Sequence, residues 1–251
     1  MEIEPGPFNA CGNSTVAVCD ILGFSRLVEH QPLEAVVDHA IGWFRKALNH
    51  SVLKAGFPAD VPPLTAVEAH PHVGVAWFSD TILLYTKHDT DEAVRELLST
   101  VAWLLFETML EGTTKLRGGI AHGNMHIDSQ NSLYVGVPII EAYKLEQCQQ
   151  WSGAALAPSA VARLPESART GEYFDWWVKP WDVPQKNGPP LKTLAVNWSA
   201  GIHHPNWRLR WSEHSDDPKA EDWTAKRDLC EKFVNTKAFH LAHCQDCRGE
   251  A

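Results

Sequence analysis

At 251 residues, 44% hydrophobic and 21% charged, the chain has an ordinary globular composition and enough length for one large domain or two small ones. Its 31 acidic against 22 basic side chains leave a formal charge of −9, which argues against nucleic acid or an anionic membrane as the main partner, since those are held by a basic field. No run approaches the roughly 18 to 20 apolar residues of a membrane span. The opening MEIEPGPFNACG has neither the basic nor the apolar region of a secretory leader, so the expected location is cytoplasmic. The six cysteines (Cys11, Cys19, Cys148, Cys230, Cys244, Cys247) are scattered and read as reduced thiols, with Cys19 in the core.

Ser14 to Asp20 (STVAVCD) is a β-branched, apolar run ending on a carboxylate, which predicts a buried strand delivering Asp20 at its C-terminal end. From Phe24 to about Gly56 the apolar positions keep a helical period, and residues 59 to 71 are turn-rich and predict a loop. His72 to Thr86 (HVGVAWFSDTILLYT) holds two apolar runs separated by Ser79 and Asp80, a hairpin with Asp80 at its tip. Asp89 with Glu92 resembles a capping box, and the spacing beyond it predicts one long helix up to Glu111 and Gly112. Leu116 to Met125 predicts a glycine-marked strand, and Val137 to Gln150 a helix. Ala154 to Leu164 predicts a strand and short helix, Leu191 to Trp198 a late strand, and Ala220 to His243 a terminal helix.

The order βαββαβ followed by a helix is the ferredoxin-like pattern, an α+β fold with an antiparallel sheet and helices on one face. In it the end of the first strand neighbours the tip of the second-to-third-strand hairpin, so Asp20 and Asp80 would meet although sixty residues apart. Two carboxylates at strand ends are the minimal holder for two hard divalent cations, which take oxygen ligands and leave positions open for phosphates. The alternative is that each aspartate only caps a helix or a turn.

Asp20-Ile21-Leu22-Gly23-Phe24-Ser25 resembles the D-I-x-G-F-[ST] segment of class III nucleotidyl cyclases, and Phe78-Ser79-Asp80 stands where that family has its second metal-binding aspartate. Leu116 to Gly123 (LRGGIAHG) resembles its R-x-G-I-x-x-G strand, and Gly136 to Leu145 (GVPIIEAYKL) its G-x-x-V-N-x-A-x-R-L helix. The likeness runs from about Ser14 to Leu164 in order and spacing. It implies a catalytic domain over residues 14–200, with 201–251 as a partly helical Trp-rich extension. It implies that Asp20, Asp80 and the main-chain carbonyl of Ile21 bind two Mg²⁺ or Mn²⁺ ions. Main-chain N–H groups of Gly23, Phe24 and Ser25 would hold the β- and γ-phosphates at a helix N-terminus. The site would be composite, built across a two-fold homodimer, with Lys144 and the helix from Gly136 supplied by the partner.

The departures from the family pattern bear on substrate. Its transition-state arginine aligns with Lys144 and its ribose-orienting asparagine with Ile140, which cannot hydrogen-bond. The lysine and aspartate with which adenylyl cyclases read adenine fall at Ala76 and Leu133, and neither side chain can read a purine edge. Phe78 to Thr81 and Gly136 to Glu146 resemble the pyrimidine cyclases of bacterial Pycsar anti-phage systems. That resemblance implies a uridylate cyclase making cyclic UMP for a separate effector, with a cytidylate cyclase, an adenylyl or guanylyl cyclase, and a silent nucleotide-binding dimer as alternatives.

Arg117, placed on a sheet edge, has two available roles: approaching the triphosphate, or pairing with a neighbouring carboxylate. Arg26 and Lys87 are similar. His122 reads as a hydrogen-bonded core histidine. His240, His243, Cys244 and Cys247 have zinc-ligand types at close spacing, yet crowd four ligands into eight residues, and a fraying terminus is the favoured reading. Seven of the eleven tryptophans lie from Trp176 onward and are expected to pack the late strand and tail over the open side of the sheet.

Overall fold

The computed structural model describes residues 9–54, 70–111, 115–170, 176–201 and 220–235. Eight strands form one sheet: β1 (Asn9–Leu22), β2 (Val73–Phe78), β3 (Thr81–Thr86), β4 (Lys115–Asp128), β5 (Leu133–Gly136), β6 (Gly153–Leu156), β7 (Val178–Val183) and β8 (Leu191–Val196). Their order is β2-β3-β1-β4-β6-β8-β7, with β5 paired to the far end of β4. The segment β2-β3-β1-β4, all antiparallel, is the ferredoxin-like arrangement predicted from the element order. The sheet as a whole is mixed, because β6 runs parallel to β4.

The helices are α1 (Phe24–His30), α2 (Leu33–Ala35), α3 (Gly42–Lys54), α4 (Asp91–Glu111), α5 (Val137–Cys148), α6 (Pro158–Arg163), α7 (Glu166–Arg169) and α8 (Ala220–Asn235). The single helix expected from Phe24 onward is broken. Gln31 turns extended (φ −121°, ψ 151°) because the residue before Pro32 is barred from helical geometry, and a π-helical stretch, Val36–Ile41, precedes α3. The expected capping box at Asp89 is replaced by Thr90, whose Oγ1 accepts the Ala93 N–H at 3.2 Å. Asp89 instead takes the Arg163 guanidinium at 2.6 Å. The helix expected to reach Gln150 ends at Cys148, where Gln149 turns extended. Two strands escaped the sequence reading, the four-residue β5 and the edge strand β7. The second carries Pro180, a residue tolerated at a sheet edge but adverse to a strand prediction.

Helices cover both faces, not one. Ala17, Cys19 and Ile21 of β1, with Ile82 and Leu84 of β3, face the main core with Val94, Leu97, Leu98, Val101 and Leu105 of α4. Val16, Val18, Tyr85 and Ala121 face the other way, against Ala142 of α5. A strand buried on both sides reads as an unbroken apolar run, which is why STVAVCD shows no alternation. At the far side Trp151, Trp181, Trp198 and Phe233 meet in stacked and edge-on contacts with ring centroids 5.0 to 6.0 Å apart, so Trp181 and Trp198 of the late tryptophans pack as expected, with Trp151 joining them. Lys179 Nζ donates to the Phe233 carbonyl at 2.7 Å and lies 3.6 Å above its ring, fastening α8 to β7. The predicted continuation of that helix to His243 and the His/Cys cluster of the tail lie outside the described residues. Among the described residues no helix is long and apolar enough to cross a membrane, and the four described cysteines are free, Cys19 buried.

Candidate active site

The end of β1 and the tip of the β2–β3 hairpin are fastened together. Asp20 pairs with Thr81, and one step further the Ile21 N–H donates to the Asp80 carbonyl at 3.1 Å. The two-residue turn holds Ser79 at φ 56°, a left-handed conformation that costs a non-glycine residue on the order of 1 kcal/mol. The Trp77 indole N–H donates to the Ser79 carbonyl at 2.7 Å and steadies that turn. The structure thus brings Asp20 and Asp80 together, as the topology predicted.

The Asp20 carboxyl is half-buried, and its pKa is pushed up to about 7, first by burial and then by the negative charges of Glu146 and Asp80; Arg117 and Lys186 oppose the shift. Two carboxylates repelling each other in a partly dry site form a donor set that a hard divalent cation would relieve, so these residues fit such ions. The side chain of Ile21 is core, and only its main chain can reach the site.

Arg117 lies directly across from Asp20, in central strand β4 and not on an edge. It is buried, its Nε donates to Glu146 Oε1 at 2.5 Å, and its Nη1 donates to the Gln149 carbonyl at 3.3 Å. Glu146 has no exposed surface, so each charge requires the other; removing one partner of such a pair typically costs about 3–5 kcal/mol. The pair ties α5 to the sheet beside Asp20. Gly123 and His122 lie further along β4, where His122 Nδ1 is 2.9 Å from Thr15 Oγ1 and its main-chain N–H donates to Ser159 Oγ; the histidine is hydrogen-bonded as expected but part-buried, not core.

Gly23 caps α1 at φ 80°, a conformation that favours glycine, and the first helical hydrogen bond runs from Leu27 N–H to the Gly23 carbonyl. No side chain caps this end, so the Phe24 and Ser25 amides have no partner within the helix. Ala76, opposite Leu83, shares the face of Asp20 by strand alternation, and so does Phe78, opposite Thr81. Leu133 is not brought to Asp20 within one chain. It pairs with Asp128, which faces Asn9, eleven residues or about 35 Å back along β1. Lys144 is exposed, on the side of α5 turned away from the buried Ala142 and Glu146.

Two neighbours of Asp20 were missed in the sequence. Glu146 closes the GVPIIEAYKLE segment, and a charged residue ending an apolar helical run was the available signal. Lys186 follows β7, its main chain tied to Cys148 by a 2.7 Å hydrogen bond, and nothing local marks it.

No protein-family model and no curated protein matches the chain. Solved structures similar to it include the catalytic core of a rhodopsin-guanylyl cyclase with converted specificity in complex with ATPαS, at 16% identity and TM-score 0.48, covering 74% of this chain and 95% of that one. The guanylyl cyclase Cya2 is similar at 16% identity and TM-score 0.48, covering 80% and 98%. An adenylate/guanylate cyclase/hydrolase from Silicibacter pomeroyi is similar at 13% identity and TM-score 0.45, covering 75% and 98%.

Proposed function

We propose that the protein is a nucleotidyl cyclase that converts a pyrimidine ribonucleoside triphosphate, preferentially UTP, to the 3′,5′-cyclic monophosphate and diphosphate. The observation that carries this reading is the convergence of Asp20 and Asp80, held by the Ile21–Asp80 main-chain bond within a ferredoxin-like sheet. With the Ile21 carbonyl they would hold two Mg²⁺ or Mn²⁺ ions. Bound there, divalent ions would acidify the ribose 3′-hydroxyl and neutralise the triphosphate. The chain's own groups do the rest. The uncapped amides at the start of α1 hold phosphate oxygens, and the Arg117–Glu146 pair keeps α5 docked on β4 beside Asp20. The 3′-oxygen gives up its proton to solvent and forms its bond to the α-phosphorus as the bond to the bridging oxygen breaks and diphosphate leaves.

Pyrimidine preference is supported by the apolar side chains of Ala76 and Leu133, which leave no hydrogen-bonding group for a purine edge. A homodimer with composite sites is supported by the placement of Lys144 and Leu133, neither of which reaches Asp20 in its own chain. It is supported also by the apolar side chains that β2, β5 and α5 leave exposed, Phe78, Leu133, Val135, Val137, Ile140 and Tyr143. The cyclic product would be read by a separate effector, in keeping with an anti-phage role.

Incubation with each of the four ribonucleoside triphosphates and Mn²⁺, followed by chromatography, tests the reading. Cyclic UMP is the expected main product. Cyclic AMP as main product refutes the base-pocket argument, and no product from any triphosphate favours a silent nucleotide-binding dimer. Asp20→Ala and Asp80→Ala should each lower the rate by more than tenfold, at least ~1.4 kcal/mol of barrier, with the dimer intact.

A further inference from the structure

At the opposite end of β2, six residues or about 20 Å from the hairpin tip, a second group of ligand-type side chains converges. His72 immediately precedes β2, and Glu92 and Glu96 stand one turn apart on α4. One ligand atom from each of these three residues lies within 4.8 Å of the others, and His72 Nε2 is 3.9 Å from Glu92 Oε1. His72 Nδ1 and Glu96 Oε2 are shut off from solvent, and neither takes a hydrogen bond. A buried donor or acceptor left in that state is costly, and a cation held by the three residues would satisfy the Glu96 carboxylate.

The surroundings hold the three in place. His70 Nδ1 accepts the main-chain N–H groups of His72 and Val73, at 3.2 and 3.0 Å, which fixes the backbone carrying His72. With Nδ1 an acceptor, neutral His70 carries its proton on Nε2, which lies 3.3 Å from Glu96 Oε2 outside hydrogen-bond geometry. Such a histidine beside a ligating carboxylate is an orienting group. Of the nearby cations, Lys87 Nζ donates to the His70 carbonyl, and Arg95, whose charge also acts on Glu96, lays its guanidinium over the Trp176 ring.

We propose that His72, Glu92 and Glu96 form a divalent-metal site, separate from the Asp20–Asp80 pair, that takes a borderline cation such as Zn²⁺ and pins the start of β2 to α4. One imidazole and two carboxylates suit Zn²⁺, whose bonds to both ligand types are about 2.0–2.2 Å, and water would complete the shell. Glu92 is exposed enough to swing its carboxylate inward.

The test is equilibrium dialysis of the full-length, metal-stripped protein against Zn²⁺ with excess Mg²⁺ present, in a Cys244→Ser/Cys247→Ser background that disables thiolate binding in the tail. One equivalent of zinc is expected, with a rise in thermal midpoint. His72→Ala and Glu96→Gln should each weaken binding by at least about tenfold and abolish the rise, and Glu92→Gln, at an exposed position, should do the same if His72→Ala fails to fold. Asp20→Ala should bind zinc like its parent whether or not the protein is a cyclase. No bound zinc in the background protein, or unchanged binding in these variants, overturns the site.

Discussion

Asp20 carries the charge problem of the site. Its carboxyl titrates near 7 in the folded chain and near 3.8 when exposed, so as pH falls the folded state takes up the proton first. The sign follows directly: in metal-free buffer this group makes the protein more stable as pH drops from about 7 to about 4, and contributes no slope outside that window. Thermal midpoints measured in chelator between those limits should rise toward acid in the parent and rise less in Asp20→Asn. An identical slope in the variant removes Asp20 as the source. Asp20 itself was legible because an apolar run ended on a carboxylate. Glu146 and Lys186, which set its charge environment, were not, because they arrive from elements far along the chain with no local pattern tying them to β1.

At the scale of elements, α5 decides how the Asp20 face is closed, and its approach depends on Gly119. A Cβ at that position would strike the Ala142 carbonyl and lie 2.9 Å from the Glu146 amide, both helix backbone that cannot yield locally. Gly119→Ala should therefore push α5 off the sheet, loosen the Arg117–Glu146 pair and cost about 1–3 kcal/mol, read as a lower denaturant midpoint. An unchanged midpoint would show that the helix has slack. Elements with strong periods, such as α4, could be read from sequence, and so could the hairpin with Ser79 and Asp80 at its turn. The break at Pro32 is not predicted by the apolar spacing, which continues across the proline. β7 was lost because an edge strand with Pro180 and alternating exposure lacks the apolar run that marks β1.

For the whole molecule, the ferredoxin-like half of the sheet followed from element order alone, whereas its extension through β6 and β8 rests on pairings between distant segments that no local signal announces, and the β7–β8 hairpin was lost with β7. The same limit applies to assembly. Within one chain Asp20 shares its sheet face with Ala76 and Phe78, while Lys144 is exposed on the side of α5 turned away from the buried Ala142 and Glu146. If two copies complete each other about a two-fold axis, the aspartates of a site come from one chain and its lysine from the other. A mixture then behaves unlike its parts. Asp20→Ala destroys the aspartate half in its own chain, and Lys144→Ala weakens the lysine half in its own. After exchange of subunits at equal amounts, half the dimers pair one of each, and each such dimer holds one intact site and one doubly damaged site. Activity should therefore reach about a quarter of the parent's plus the residual rate of the Lys144→Ala homodimers, well above the mean of the two variants assayed alone. A mixture no more active than that mean places both groups' work within a single chain and dismantles the composite site.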